Sequence, residues 1–567
     1  MARAPLVLPA LAFLGVITAE AHGLLVVASA CAVVACARQS SRGPAAFALA
    51  GALCALWRGH PPLIVAETRT LRTAATVVGD VVRADDGGAS APLALPDGRI
   101  VRAQLHGPVV PGERLVVRGR LVPFDEPRNP GEPSRRELAL AQGLAGELAG
   151  GEIVERDGVD PRDARAWSAR ARAALSARLR AVLREPEATI VAGALWGERG
   201  TLPADVHDAF QATGTVHVLV TAGLHLGVVA ACVLGVLRLF GAPRVGAALA
   251  AIPVVAGYAW LSGAHLPSQR AAVMVCVGLL ARASGARIAS WNALALAAIV
   301  VAALWPASVG SVSFALSFSC VASIVLFAEP LAGALARWAL PARVREALAL
   351  TIATQIGVWP LSAATFGLLA PYAVLANAVV VPATALAMLG GFATLLLAAV
   401  PILEPLVAAL TAVDVDAILH VTANVAALPG ARIAVAPPPL LAIVGYDVAV
   451  ICAAQLLFAH RRWAVALLLA ASAAVLASTL RLPDGRLTIT MLDVGQGDGI
   501  VVRTPRGHVI VIDTGGRLER GPDVGGRSPA EIIGERIVLG FLRREGIRRV
   551  DLLVETHPNG DHVGGCL

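Results

Sequence analysis

Long apolar runs and short alternating ones divide this chain into blocks. Residues 5–58 hold two or three apolar runs, interrupted by the polar stretch RQSSR at 38–42. From 215 to 480 nearly continuous apolar segments follow one another, with polar breaks at 241–244, 282–287, 337–345 and 460–462. These segments run to about 17 to 25 residues, enough to cross a hydrocarbon layer roughly 30 Å thick as helices, and on the order of eight to ten spans are predicted. Between the two apolar blocks, and again after 484, the period shortens to two and Gly, Pro and Asp punctuate the chain, which predicts strands and turns outside the lipid.

The first alternating block reads TAATVVGDVVRA, APLALPDGRIVRAQLHG and ERLVVRGRLVPF over 70–123. Such runs, with a Pro-Asp-Gly turn among them, predict a small OB-like β-domain over 65–158. An OB barrel suits single-stranded nucleic acid when a basic groove is interleaved with aromatic residues. Here Arg is nearly balanced by Asp and Glu, and no Trp, Tyr or Phe occurs between 65 and 120. A structural or assembly role therefore stands beside DNA binding for this domain.

Residues 161–186 place Arg162, Arg165, Arg170, Arg172, Arg178, Arg180 and Arg184 around an apolar line of Trp167, Leu175, Leu179 and Val182. This predicts an amphipathic helix on the membrane surface, its guanidinium groups either snorkelling to lipid phosphates or guiding a phosphate backbone. The resulting division is 1–60 membrane helices, 65–158 β-domain, 161–186 interfacial helix, 187–480 multi-span membrane domain and 484–567 a second soluble part.

Composition agrees: 56% of the 567 residues are hydrophobic and 15% charged, too apolar for one water-soluble globule. The net charge of +7 is carried by Arg alone, since no Lys occurs. Arginine suits bidentate phosphate contacts, and GC-rich codon usage gives the same composition. Seven of the eight cysteines (Cys31, Cys36, Cys54, Cys232, Cys276, Cys320, Cys452) lie in apolar segments as small hydrophobes, and no disulfide framework or CxxC metal knot is formed. After Arg3 the first apolar run continues through Cys36 without a convincing cleavage site, so it reads as a retained anchor. Arg461 and Arg462 precede the last span and Arg38 and Arg42 the last N-terminal one; held in the cytoplasm, these clusters put both soluble parts outside, although Arg481 and Arg486 flank the opposite end.

Candidate chemistry lies in three islands of the C-terminal part. LTITMLDVGQGD at 487–498 is a strand entering a Gly-rich turn with Asp493 and Asp498; VIVIDTGG at 509–516 ends in Asp513; DLLVET at 551–556 leads into HPNGDHVGG at 557–565. Imidazoles and carboxylates gathered after strands by glycine turns are what a metal site requires. The order and spacing resemble the metallo-β-lactamase fold and its HxHxDH ligand loop, with Asn559 standing where the second His belongs. The resemblance implies His557, Asp561 and His562 as metal ligands, Asp561 also as a catalytic residue, and Asp493, Asp498 and Asp513 as supporting carboxylates. A divalent Zn or Mn ion would supply a hydroxide to attack a phosphodiester. That fold needs further strands and later His and Asp ligands beyond Leu567, so the site is expected to be incomplete. A fragment of a longer protein, a genuinely shortened chain, or ligands lent by another polypeptide would each account for this.

In the apolar block, TGTVHVLVTAGLHLG at 213–227 carries His217 and His225, and HLPSQR at 265–270 brings Arg270 to the start of a span. Polar groups at membrane depth face a bundle interior or an aqueous path, so all three are channel candidates, with packing, pairing or snorkelling as the alternative. PRNPG at 127–131 with Arg135, Arg136, Gln142 and Gly143, Glu185-Pro186-Glu187 leading to ALWGER at 194–199, the LVTAGLHLG run, Pro267 and Ser268 with Arg270 and Ala271, DVGQGD and HPNGDH together resemble the ComEC family of competence proteins. The PRNPG run is similar to that family's linker after its OB domain.

The fold class implied is a polytopic α-helical membrane protein with a small inserted OB-like β-domain and an incomplete C-terminal αβ/βα metallo-β-lactamase-like domain. The function implied is a bacterial inner-membrane channel for single-stranded DNA with an extracytoplasmic nuclease-like part. Its partners would be DNA, membrane lipid, other competence proteins and a second copy of the chain. The rival readings are a membrane-anchored metal-dependent phosphoester hydrolase, for which so many spans exceed what anchoring needs, and a non-functional fragment.

Overall fold

The computed structural model describes residues 64–566 except 80, 84–87, 160–162, 199–201, 220–222, 264, 285–289, 306–307, 310, 458–460, 482 and 517–528. The spans expected at 1–60 lie outside the described residues, as do Val220, Thr221 and Ala222 of the LVTAGLHLG run.

The alternating block folds as strands β1 (Arg69–Val77), β2 (Val82–Arg83), β3 (Ala89–Ala94), β4 (Ile100–Leu105), β5 (Glu113–Val122) and β6 (Gly146–Val159). Period-two side chains alternate between core and solvent along β3 and β5. The Pro-Asp-Gly turn joins β3 to β4: Gly98 takes φ +83° and Leu95 N–H donates to Arg99 C=O at 2.8 Å. Pairing runs β1-β3-β4-β6-β5 and back to β1, closing a five-stranded barrel in which β4–β6 is parallel and the other pairs antiparallel. Closure removes sheet edges, and Val77, Leu93, Val101, Ala103, Leu115, Val117, Leu121 and Leu148 fill the interior.

The PRNPG run lies within the barrel's sequence, between β5 and β6, and not after it. There the linker enters helix α1 (Arg135–Ala141), whose Ser134 side chain accepts from Glu137 N–H. Strand β6 carries no strong apolar alternation and gains its place from pairing on both sides.

The arginine-rich helix α2 (Ala164–Val182) begins the next block. It is followed by α3 (Glu187–Trp196), α4 (Ala204–Ala212), α5 (Gly223–Leu239), α6 (Arg244–Leu261), α7 (Leu266–Ala283), α8 (Ser290–Leu304), α9 (Val312–Leu335), α10 (Ala342–Phe366), α11 (Ala373–Leu396), α12 (Leu403–Ala426), α13 (Leu440–Leu457) and α14 (Arg461–Ser478). Among the described residues five helices, α6 and α9–α12, are long and apolar enough to cross a membrane. Shorter apolar helices, α3, α5, α8, α13 and α14, accompany them, and α7 carries Arg270 and Arg282. Leu195, Phe210, Leu226, Ala248, Val255, Met388, Val415 and Ile418 form one buried core through α3–α6, α11 and α12.

Helix α2, predicted as an amphipathic helix on the membrane surface, packs on the bundle. Trp167 is half exposed but stacks on Trp260 of α6 with centroids 5.6 Å apart. Arg172 donates to Leu261 C=O at 2.7 Å, Arg178 pairs with Glu404 at 2.5 Å, and Arg180 pairs with Glu198 at 2.6 Å. Carbonyls and carboxylates of the bundle thus occupy arginines expected to meet lipid or DNA phosphates.

The C-terminal part is a four-stranded sheet of order β12-β11-β10-β9, from β9 (Thr488–Met491), β10 (Ile500–Arg503), β11 (Val509–Ile512) and β12 (Leu552–Val554). Helical segments Pro529–Ile533, Gly534–Leu539 and Gly540–Arg544, together α15, connect β11 to its parallel neighbour β12. Val538, Phe541 and Leu542 pack with Val501, Val509 and Val511 of the sheet. Arg548 Nε donates to Ala434 C=O at 2.9 Å, on the short strand pairing that joins the loops after α10 and α12. The sheet's first turn meets the barrel's linker, with Asn129 against Asp493.

Candidate metal centre and the polar groups of the bundle

Three strands of the C-terminal sheet, β9, β11 and β12, lead at their ends into the turns that carry the candidate ligands. After β11 the chain takes a left-handed turn at Asp513, φ +52°, which drives its carboxylate inward until it is fully buried. An Asp tolerates that backbone better than most residues. After β12 come Thr556 and His557, and the short helix α16 (Gly560–Val563) brings Asp561 and His562 back towards the sheet.

Asp513 is the organising group. Its Oδ1 accepts from Thr556 N–H at 2.9 Å, and its Oδ2 accepts from the Thr556 hydroxyl at 2.6 Å and from His562 Nδ1 at 2.9 Å. Burial opposes its ionisation, but the Thr556 hydroxyl and amide and the His562 imidazole outweigh that and hold its carboxyl below the usual range. In return the hydrogen bond to Asp513 raises the His562 pKa, overcoming desolvation. A carboxylate on Nδ1 fixes the imidazole's tautomer and turns Nε2 towards Asp561, whose Oδ2 lies 4.0 Å away.

His557, Asp561 and His562 can each present one ligand atom within 4.8 Å of the others, and so can Asp498, Asp513 and His562. The two imidazole rings lie 3.8 Å apart between centroids. Oδ1 of Asp561 is buried with no hydrogen-bond partner among the described residues, a cost that a cation would remove. Two imidazoles and a carboxylate are donors suited to a divalent ion of the zinc or manganese kind. The residues present therefore fit a metal, which when bound would supply Lewis acidity and a more acidic water.

Not every predicted site residue converges. Asp493 turns away: Arg128 donates to its Oδ2 at 3.2 Å and Gly495 N–H to its Oδ1 at 3.0 Å. It belongs to neither ligand group, so its position is that of a turn and linker residue and not of a carboxylate supporting the centre. Asn559 is exposed and outside the clusters, and its carbonyl accepts from His562 N–H at the start of α16. Thr556 was not singled out by sequence reasoning, although its place directly before His557 was a visible signal. Arg128 and Asn129 lie in the PRNPG run, which sequence reasoning read only as a linker, with nothing to tie it to Asp493.

In the bundle His225 is fully buried on α5 and Arg270 is 1% exposed on α7. Arg270 donates to the Ser313 hydroxyl of α9, and among the described residues no carboxylate pairs with it, while its Nε has no partner. His217 differs from these two: it is exposed on the turn Val216–Leu219, with Nδ1 3.2 Å from Gly214 C=O.

The Competence protein family matches residues 195–475, and the metallo-beta-lactamase superfamily matches residues 492–566. The chain is 26% identical over 396 residues to ComE operon protein 3 of Bacillus subtilis, covering 67% of this chain and 49% of that protein. It is 28% identical over 398 residues to Competence protein ComA of Neisseria gonorrhoeae, covering 65% and 50%. It is also 26% identical over 180 residues to the uncharacterized protein YcaI of Escherichia coli, covering 30% and 24%. The chain thus spans about half the length of the first two relatives. No solved structure matches it. The membrane bundle, the small barrel ahead of it and the partial metallo-beta-lactamase unit after it agree with these matches, and the chain belongs to the ComEC/ComA family of competence proteins.

Proposed function

We propose that this chain is the membrane channel through which single-stranded DNA enters the cell during natural transformation, with a nuclease-like unit attached. The observation that carries the reading is the competence-type match over 195–475, across a bundle whose α7 holds the buried guanidinium of Arg270 with no carboxylate on it among the described residues. A cation retained in an apolar bundle is costly unless it has anionic or polar partners, and a phosphate backbone would be one. Contact of Asn129 with Asp493 supports the barrel and the C-terminal unit sharing one side of the membrane, and the Arg461-Arg462 pair supports that side being extracytoplasmic.

The test is import of labelled DNA in a competent host whose own gene is deleted and replaced by this one. Import should return with the wild-type gene and be lost with Arg270→Gln at equal protein level; import that persists without any copy of the gene removes the channel reading. A second reading, a membrane-anchored metal-dependent phosphoester hydrolase, is favoured by the His557, Asp561 and His562 group. It predicts metal content that falls on replacing both histidines, and no change in DNA import when the gene is deleted.

A further inference from the structure

The PRNPG linker is absorbed by neither function. Its Asn129 is 6% exposed although it sits in a loop. Its side chain makes a reciprocal pair with one distant residue: Oδ1 accepts from Asp493 N–H at 2.8 Å and Nδ2 donates to Asp493 C=O at 3.1 Å, across 364 positions of sequence. The amide thus does for Asp493 what a neighbouring strand's backbone would do. Glu132 in turn holds the loop, its Oε2 accepting from Asn129 N–H at 3.2 Å and Arg128 N–H at 3.3 Å.

What Asn129 grips is the first residue of the turn that ends at Asp498. That turn passes Gly497, φ +80°, where a Cβ would lie 1.6 Å from the Asp561 carbonyl oxygen. Only glycine permits such an approach, so the turn lies directly on the loop bearing the ligand candidates. At its end Asp498 Oδ2 is 3.9 Å from His562 Nδ1. The Arg128–Asp493 ion pair beside it is exposed and adds little.

We infer that Asn129 is a positioning residue for the metal centre: by clamping Asp493 it holds the 493–498 turn against the 557–562 loop, making the barrel's linker part of the centre's frame. The inference rests on the metal reading of that loop. Strand β9 is the edge of the C-terminal sheet among the described residues, so without the clamp the Asp493 backbone groups would lose these partners and the turn would be held mainly at its base, where Leu492 N–H donates to Gly499 C=O.

The experiment uses the full chain in detergent, with hydrogen–deuterium exchange over 493–498 and 557–562 and titration with Co²⁺ followed by visible absorption. Asn129→Ala should speed exchange in both segments, weaken Co²⁺ binding about tenfold, the low end of what loss of outer partners costs, and alter the spectrum of the bound ion. Arg128→Ala should change none of these. Faster exchange confined to 493–498, with wild-type Co²⁺ affinity and spectrum, would overturn the inference by leaving Asn129 a local structural residue. If Asn129→Ala does not fold, Asn129→Ser carries the same expectation, since a hydroxyl cannot bridge both backbone groups of Asp493. If the wild-type chain binds no Co²⁺, the metal reading fails, and exchange at 557–562 alone decides whether Asn129 positions that loop.

Discussion

Replacing Asp513 by Asn tests the organisation of the centre with little change of shape. Asn tolerates the left-handed backbone that Asp513 adopts at φ +52°, so the effect falls on hydrogen bonding and charge. Three donors converge on the two carboxylate oxygens: Thr556 N–H, the Thr556 hydroxyl and His562 Nδ1. An amide has one acceptor oxygen and one NH₂ group. With its oxygen towards His562, the NH₂ opposes Thr556 N–H; with its oxygen towards Thr556 N–H, the NH₂ opposes Nδ1 and drives His562 to the other tautomer, protonating Nε2. A mismatched donor beside this buried side chain costs about 1–3 kcal/mol, and loosening the imidazole weakens metal binding on the order of 10–100-fold. Isothermal titration of the full chain with Zn²⁺, alongside thermal unfolding, reads both quantities. Wild-type metal affinity in Asp513→Asn would refute the claim that Asp513 orients His562.

Other outcomes follow from the same contacts. Gly497→Ala puts a methyl group into the Asp561 carbonyl and a side chain at φ +80°; it should destabilise the C-terminal unit by at least about 1–2 kcal/mol in thermal unfolding. Arg178→Ala leaves Glu404, 6% exposed, without its cation, and should lower bundle stability by about 1–3 kcal/mol after discounting for the partial exposure of Arg178; Glu404→Gln added to it should recover part of the loss. In the metal-free chain the Asp513–His562 pair contributes fully only above the ordinary Asp value of 3.8 and below the ordinary His value of 6.5. Its contribution is lost as pH falls through the lowered Asp513 pKa or rises through the raised His562 pKa, so hydrogen exchange at 557–562 should be slowest, after correction for intrinsic rates, between those limits.

Much of this was legible locally. The alternation APLALPDGRIV dictated paired strands and their turn, because successive side chains point to opposite faces. Runs without charge dictated helices that satisfy their own backbone groups in lipid. The islands around Asp513 and His557-Asp561-His562 identified themselves by donor type and glycine spacing, and these groups do come within reach of one another.

Contacts between remote segments were not legible. Strand β6 lacks a strong alternating signal and is defined by parallel pairing with β4 and antiparallel pairing with β5. Arg178 and Glu404 are 226 positions apart, and nothing near either residue announces the other. Asp493 and Asp498 share one motif, yet one faces the linker and the other the His562 ring. Sequence alone determined which segments are apolar, alternating or ligand-bearing, since period and residue chemistry act over a few bonds. Only the tertiary structure decided that the barrel's linker grips the 493–498 turn beside the candidate metal ligands and that bundle groups hold Arg172, Arg178 and Arg180 of α2, because partner choice depends on which surfaces pack together after distant segments fold.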